Sequence, residues 1–255
     1  MTIVIGAILV LIGLVLAYKA FRTNQTLGLI RSTPSTPLDM LSPGFRETRG
    51  QIKATGQPAL SPMTNTPCVY YRFQVEREVH NRSKDGKSTS TSWRTEVDDK
   101  HSVATSLVDG ERTVAVDLDE AQIEVKGERM RQSGFLDHSV SDMTRGLLDQ
   151  RYGRAFGGAE GGLLSLLAGR STRMRYTENA LPVDSDVYVL GTAQLVGDST
   201  DQFRFTKGEN GILIVSNLSE DELTSRLRMN LIFLGIGTLL LLGIGIFVMT
   251  LPTAS

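Results

Sequence analysis

Hydrophobic positions along this chain follow two regimes. Near either end they are continuous: Ile3 to Tyr18 reads IVIGAILVLIGLVLAY, and Leu231 to Met249 reads LIFLGIGTLLLLGIGIFVM. Between these blocks the apolar residues alternate with polar ones in short runs. A helix rises about 1.5 Å per residue, so about 20 apolar residues are needed for a hydrocarbon core about 30 Å thick. The second block is long enough. The first reaches that length once Met1, Thr2, Ala20 and Phe21 are added and Lys19 is allowed to snorkel.

The alternating runs predict strands. In VYYRFQVERE, Val69, Tyr71, Phe73 and Val75 share one face, while Tyr70, Arg72, Gln74, Glu76 and Glu78 share the other. SKDGKS (83–88) supplies a turn centred on Asp85-Gly86, and STSWRTEV (90–97) returns as the partner strand. TVAVDL (113–118) groups Val114, Val116 and Leu118; AQIEVK (121–126) groups Ala121, Ile123 and Val125. TRMRYT (172–177), VYVLGTAQLV (187–196), FRFTK (203–207) and GILIVS (211–216) complete the set. Many short strands set off by glycine and aspartate turns predict a mainly β fold, an antiparallel barrel- or sandwich-like domain, between two transmembrane α-helices.

The predicted layout is a first membrane helix over 1–21, a linker over 22–43 punctuated by proline, serine and threonine, and a first part of the β domain over 44–128. An insertion rich in glycine and leucine follows over 129–170, then a second part of the β domain over 171–218. A continuous helix over 219–250 includes the second crossing, and 251–255 form a tail. Ser219 and Glu222 have the spacing of a capping box, and no proline or glycine interrupts the helix before Gly235. Within the insertion, GGAEGGLLSLLAGR lacks the Gly-Lys-Ser/Thr of a phosphate loop. It reads as an inserted segment with a short buried helix, or as an apolar tip at 157–169 that touches the bilayer or a partner.

Charge changes the picture in one place. The 255 residues carry a net charge of −1, which gives no bias toward nucleic acid. The basic residues near the apolar blocks all lie on their inner sides: Lys19, Arg22 and Arg31 after the first, Arg226 and Arg228 before the second. Such residues stay on the cytoplasmic side, so both termini are expected outside and 22–228 in the cytoplasm. A cleaved secretory signal is the rival reading of the first block. It is disfavoured by the uncharged "MT" start and by the lysine in LAYKA.

Candidate chemistry is sparse. Cys68 is the single cysteine. It follows Pro67 at the head of a strong strand, with nothing nearby in sequence to lower its pKa, and reads as a small packing residue. His80, His101 and His138 lie in polar surroundings without zinc-ligand spacing. EVDDKH (96–101) reads as a solvated strand end rather than a cation site, and Trp93 as a core or half-buried strand residue. No catalytic, cofactor-binding or metal residue is assigned, and no cofactor is expected. Gly6 with Gly13, Gly235 with Gly243, and Gly237 with Gly245 put small residues on common helix faces, suited to close packing within the chain or between copies.

Several of these residues carry a family resemblance. Gly50, Leu60-Ser61-Pro62, Pro67-Cys68-Val69-Tyr70-Tyr71 and Trp93, followed by NALPVDSDVYVLGTAQLVGD and GILIVSNLSEDELTSRL before a membrane helix, resemble the GIDE domain, also called BAM for "beside a membrane". The resemblance covers about 44–250, less well over 129–170. It implies kinship with mitochondrial and chloroplast RING-type E3 ubiquitin ligases, whose domain is followed by a zinc-binding RING. The zinc-ligand types here amount to Cys68 and three histidines, so ligase activity is not carried over. The resemblance implies a RING-less prokaryotic member in the plasma membrane. In the mitochondrial relatives the domain faces the intermembrane space, opposite to the side that the flanking charges indicate here.

The function expected is a membrane-tethered, non-enzymatic interaction or sensing module that recruits a protein at the membrane surface. The resemblance implies a LemA-like membrane protein as partner. The alternatives are a subunit of an E3 ubiquitin ligase-like complex whose catalytic part is supplied in trans, and an assembly factor built on the glycine faces.

Overall fold

The computed structural model describes residues 2–82, 89–127, 129–133, 174–197 and 202–250. Helix α1 spans Thr2–Ser32 and helix α2 spans Glu220–Thr250. Among the described residues, twelve strands lie between them: β1 Gly44–Ala54, β2 Ala59–Leu60, β3 Pro67–Arg82, β4 Thr89–Ser102, β5 Thr105–Asp109, β6 Arg112–Val116, β7 Gln122–Glu124, β8 Arg129–Ser133, β9 Met174–Pro182, β10 Asp186–Leu195, β11 Phe203–Thr206 and β12 Ile214–Ser216. The protein is mainly β and is flanked by two long apolar helices.

Five strands close a barrel in the order β1, β5, β6, β11, β10, with β10 pairing back onto β1. β6 and β11 run parallel; the other four seams are antiparallel. Closure removes the open edges that a five-stranded sheet would otherwise present. Ile52, Leu107, Val114, Val187, Val189 and Phe205 fill the interior. Gly50 is required at the β1–β5 seam, since a Cβ there would stand 2.7 Å from the Val108 carbonyl oxygen and 3.1 Å from Leu107 Cγ.

A second sheet is threaded into the barrel's connections. Its order is β2-β3-β9-β8, with β4 antiparallel to β3. Tyr71, Phe73 and Val75 point into its own core with Met174 and Tyr176, as the period-two pattern requires. Val69 belongs to the barrel core instead, and the β3–β9 register shifts between Cys68 and Tyr70. The bulge lets one strand serve two cores.

Two boundaries differ from the sequence reading, and one strand was not recognised in it. α1 does not stop at residue 21 but continues to Ser32, because Leu27 and Ile30 find apolar partners on the barrel. β1 lacks a clean apolar alternation, since its inward positions include Thr48 and Gly50. Residues 129–133, assigned to the insertion, pair with β9 as β8. The Asp85-Gly86 turn, His138 and the glycine-rich 157–169 stretch lie outside the described residues.

α1 and α2 form an antiparallel pair. Gly6 lies against Gly245 and Met249, Gly13 against Leu242, and Gly237 against Leu16. At 31 residues each, the helices are about 45 Å long, enough to cross a membrane by length and composition with roughly 15 Å left over. The exposed apolar residues run from Ile3 to Phe21 on α1 and from Met229 to Phe247 on α2. The remaining turns of both helices pack on the barrel.

Candidate functional site

That packing is the most distinctive feature of the fold. Leu27 and Ile30 of α1, and Leu223 and Leu227 of α2, share one buried cluster with Tyr188 and Leu190 of β10 and with Ile214 and Leu218. β10 is therefore buried on both faces. Val187 and Val189 point into the barrel, while Tyr188 and Leu190 point at the helices. This explains why its sequence is a continuous apolar run rather than an alternating one.

Polar groups fix the geometry of this seam. Ser219 and Glu222 close the capping box: the Ser219 N–H donates to Glu222 Oε2 at 3.1 Å, and the Glu222 N–H donates to Ser219 Oγ at 3.2 Å. Lys126 Nζ pairs with Glu222 at 2.9 Å, and Arg226 with Glu124 at 3.2 Å. Both pairs join the β7 region to the start of α2. Next to the cluster, the Tyr188 hydroxyl donates to the buried Glu47 carboxylate at 3.0 Å.

The motif around the lone cysteine is a self-bonded loop. Glu178, only 2% exposed, accepts the Met63 N–H at 2.6 Å and the Thr64 hydroxyl at 2.5 Å. Ser61 Oγ accepts the Thr66 N–H at 3.0 Å, and Asn65 takes a positive φ of 53° to complete the bend. Cys68 is fully buried in the same cluster as Met63 of this loop, with Sγ directed at the Ala59 carbonyl, 3.6 Å away. Its surroundings are those of a packed side chain, and the thiol is not presented to solvent.

The remaining sequence candidates spread over the β3–β4 hairpin rather than converging. Arg72 donates Nε and Nη2 to the two oxygens of Asp98, each at 2.8 Å. That hydrogen bonding holds the Asp98 carboxyl below its ordinary value and raises the Arg72 guanidinium. Arg77 pairs with Glu96 at 2.7 Å, and the Tyr71 hydroxyl donates to Asp99 at 3.1 Å. The acidic stretch 96–101 is thus taken up in cross-strand pairs. Trp93 is half-buried, with the Arg175 guanidinium 4.1 Å from its ring centroid. His80 and His101 are exposed on neighbouring strands, and burial raises the Tyr70 phenol above its usual range. Among the described residues, no group of three or more His, Cys, Asp or Glu side chains is arranged to hold a metal.

Sequence reasoning missed Glu47 and Glu178, the two buried carboxylates among the described residues. Glu178 had a readable signal, because it shares the inward parity of Met174 and Tyr176 on β9. Glu47 shares the parity of Phe45, but β1 was not recognised as a strand.

The family model GIDE, described as E3 ubiquitin ligase, matches residues 74–249, from the middle of β3 to the end of α2. No curated protein and no solved structure matches the chain.

Proposed function

Since the chain belongs to the GIDE family, we propose that it is a membrane-tethered, non-enzymatic interaction or sensing module that recruits a partner at the membrane surface. The observation that carries this reading is the shared cluster of Leu27, Ile30, Leu223 and Leu227 with Tyr188 and Leu190. It couples the orientation of the β body to two helices of membrane-crossing length, so the hairpin β3–β4 is presented at a fixed height and angle. β4 pairs only with β3 among the described strands, which leaves it an edge on which a partner strand can add. The basic flanks Lys19, Arg22, Arg31, Arg226 and Arg228 support a cytoplasmic β body with both termini outside. On this reading the membrane is the plasma membrane of a prokaryote, and a LemA-like membrane protein is a partner to test.

The family description favours a second reading, in which the chain is the membrane subunit of a ubiquitin ligase-like complex with the catalytic part in trans. Proximity labelling from a biotin ligase fused to the β body separates the two when paired with a transfer assay. The interaction reading expects a reproducible partner that is lost when Arg72 and Trp93 become alanine, with no ubiquitin-like transfer. Transfer activity in the recovered complex would favour the ligase reading. Partners that depend on the helices alone would exclude the β surface.

A further inference from the structure

The seam between α1 and the barrel forms a half-open cavity of about 360 Å³. Arg22, Thr23 and Thr26 line it from α1, Lys207 and Gly211 from the β11–β12 turn, and Glu120 from the segment before β7. Thr23 and Thr26 donate their hydroxyl protons back along the helix, to the Lys19 and Arg22 carbonyls at 3.0 and 3.1 Å. The cationic donors are therefore Arg22 and Lys207. Neither has an ion-pair partner among the described residues. Gly211 has a φ of +65°, and a Cβ there would be 3.5 Å from Arg22 Nη2, so the guanidinium lies across this turn toward the cavity.

Height identifies the ligand class. The exposed apolar residues suited to hydrocarbon end at Phe21 on α1 and begin again at Met229 on α2. Arg22 is the residue after Phe21, and Leu227, two residues before Met229, forms part of the wall. The cavity thus opens where hydrocarbon gives way to headgroups. Two cations and one carboxylate leave a single net positive charge, which suits a phosphodiester better than a free phosphate dianion. The wall from Ile212 to Ile214 offers apolar contact for a glycerol backbone.

We propose that this cavity binds the phosphodiester headgroup of an anionic lipid from the leaflet beside the β body. The proposal rests on the reading that both helices cross the bilayer. The test uses the full chain in nanodiscs of phosphatidylcholine with or without phosphatidylglycerol, with retained lipids counted by native mass spectrometry after mild detergent release. The wild type is expected to retain phosphatidylglycerol in preference to phosphatidylcholine. Arg22→Gln and Lys207→Gln should each weaken that retention about fivefold. Glu120→Gln should strengthen it, and soluble glycerol phosphate should compete poorly. The two cation variants lie at exposed positions, so unchanged thermal midpoints serve as their folding control. Equal retention of both lipids, or retention unaffected by both cation variants, would overturn the proposal. Displacement by inorganic phosphate at matched concentration would reassign the site to a soluble anion. A chain that fails to enter nanodiscs at all would instead remove the two-crossing reading on which the proposal stands.

Discussion

At the residue scale, the motif around the lone cysteine turns out to be loop architecture. Glu178 holds the 61–66 loop through the Met63 N–H and the Thr64 hydroxyl, and Met63 packs in the same cluster as Cys68. Glu178→Ala leaves a buried N–H without an acceptor, at a cost of about 3 kcal/mol. The loop should open, and Cys68 should alkylate readily under native conditions where the wild-type thiol does not react. Equal alkylation rates in the two proteins would show that the loop is not what covers the cysteine. Arg72 and Asp98 give a pH prediction. Their pairing lowers the Asp98 carboxyl from its ordinary 3.8. The stabilisation is therefore fully present above that value and is lost as pH falls through the lower folded pKa. Both groups are substantially exposed, so the effect on global stability is small. Arg72→Gln should return the Asp98 transition upward toward 3.8 in a carboxyl-carbon NMR titration, and an unmoved transition would disprove the assignment. These partners were not legible beforehand. Alternation along β3 identifies which residues face inward, but which carboxylate meets which arginine depends on the β3–β4 register and its shift between Val75 and Glu76.

At the element scale, the most readable feature was the start of α2. The Ser219/Glu222 spacing predicts the cap, and the structure closes it with two reciprocal hydrogen bonds. Ser219→Ala should cost about 1 kcal/mol locally and speed amide exchange at Glu222 about fivefold. An exchange rate equal to wild type would mean that the cap does not hold the helix start. The end of α1 was less readable, because proline and threonine after Ser32 suggest a linker while Leu27 and Ile30 need the barrel to reveal their role. The glycine faces divide in a way that spacing alone does not show. Gly245 lies in the helix contact, where a Cβ would stand 2.9 Å from Val10 Cγ2 and 3.1 Å from the Gly6 carbonyl oxygen. Gly243 has nothing within 4 Å. In a Cys68→Ala background with cysteines at Leu16 and Gly237, oxidation should cross-link the helices in the parent and in Gly243→Leu. Gly245→Leu should lose the cross-link. The opposite ranking would place the glycine contacts between chains instead.

At the scale of the whole molecule, the sequence made the β content and the two long helices evident but not the route of the chain. Barrel closure needs β1 to meet both β5 and β10, contacts that span most of the chain and leave no local pattern. The second sheet, threaded into two barrel connections, is equally a product of long-range pairing. Burial of β10 on both faces is the trace of the arrangement that matters most, a barrel docked onto the base of a helix pair. On the proposed reading, a body fixed in this way has one defined face toward the bilayer. The account therefore stands or falls on where that body lies. The direct measurement is impermeant thiol labelling in intact cells of single cysteines, placed at Thr2 or at the exposed Glu111, in a Cys68→Ala background. The account predicts labelling at Thr2 in intact cells, and at Glu111 only after permeabilisation. Labelling of Glu111 in intact cells, or equal accessibility at both positions, would contradict it.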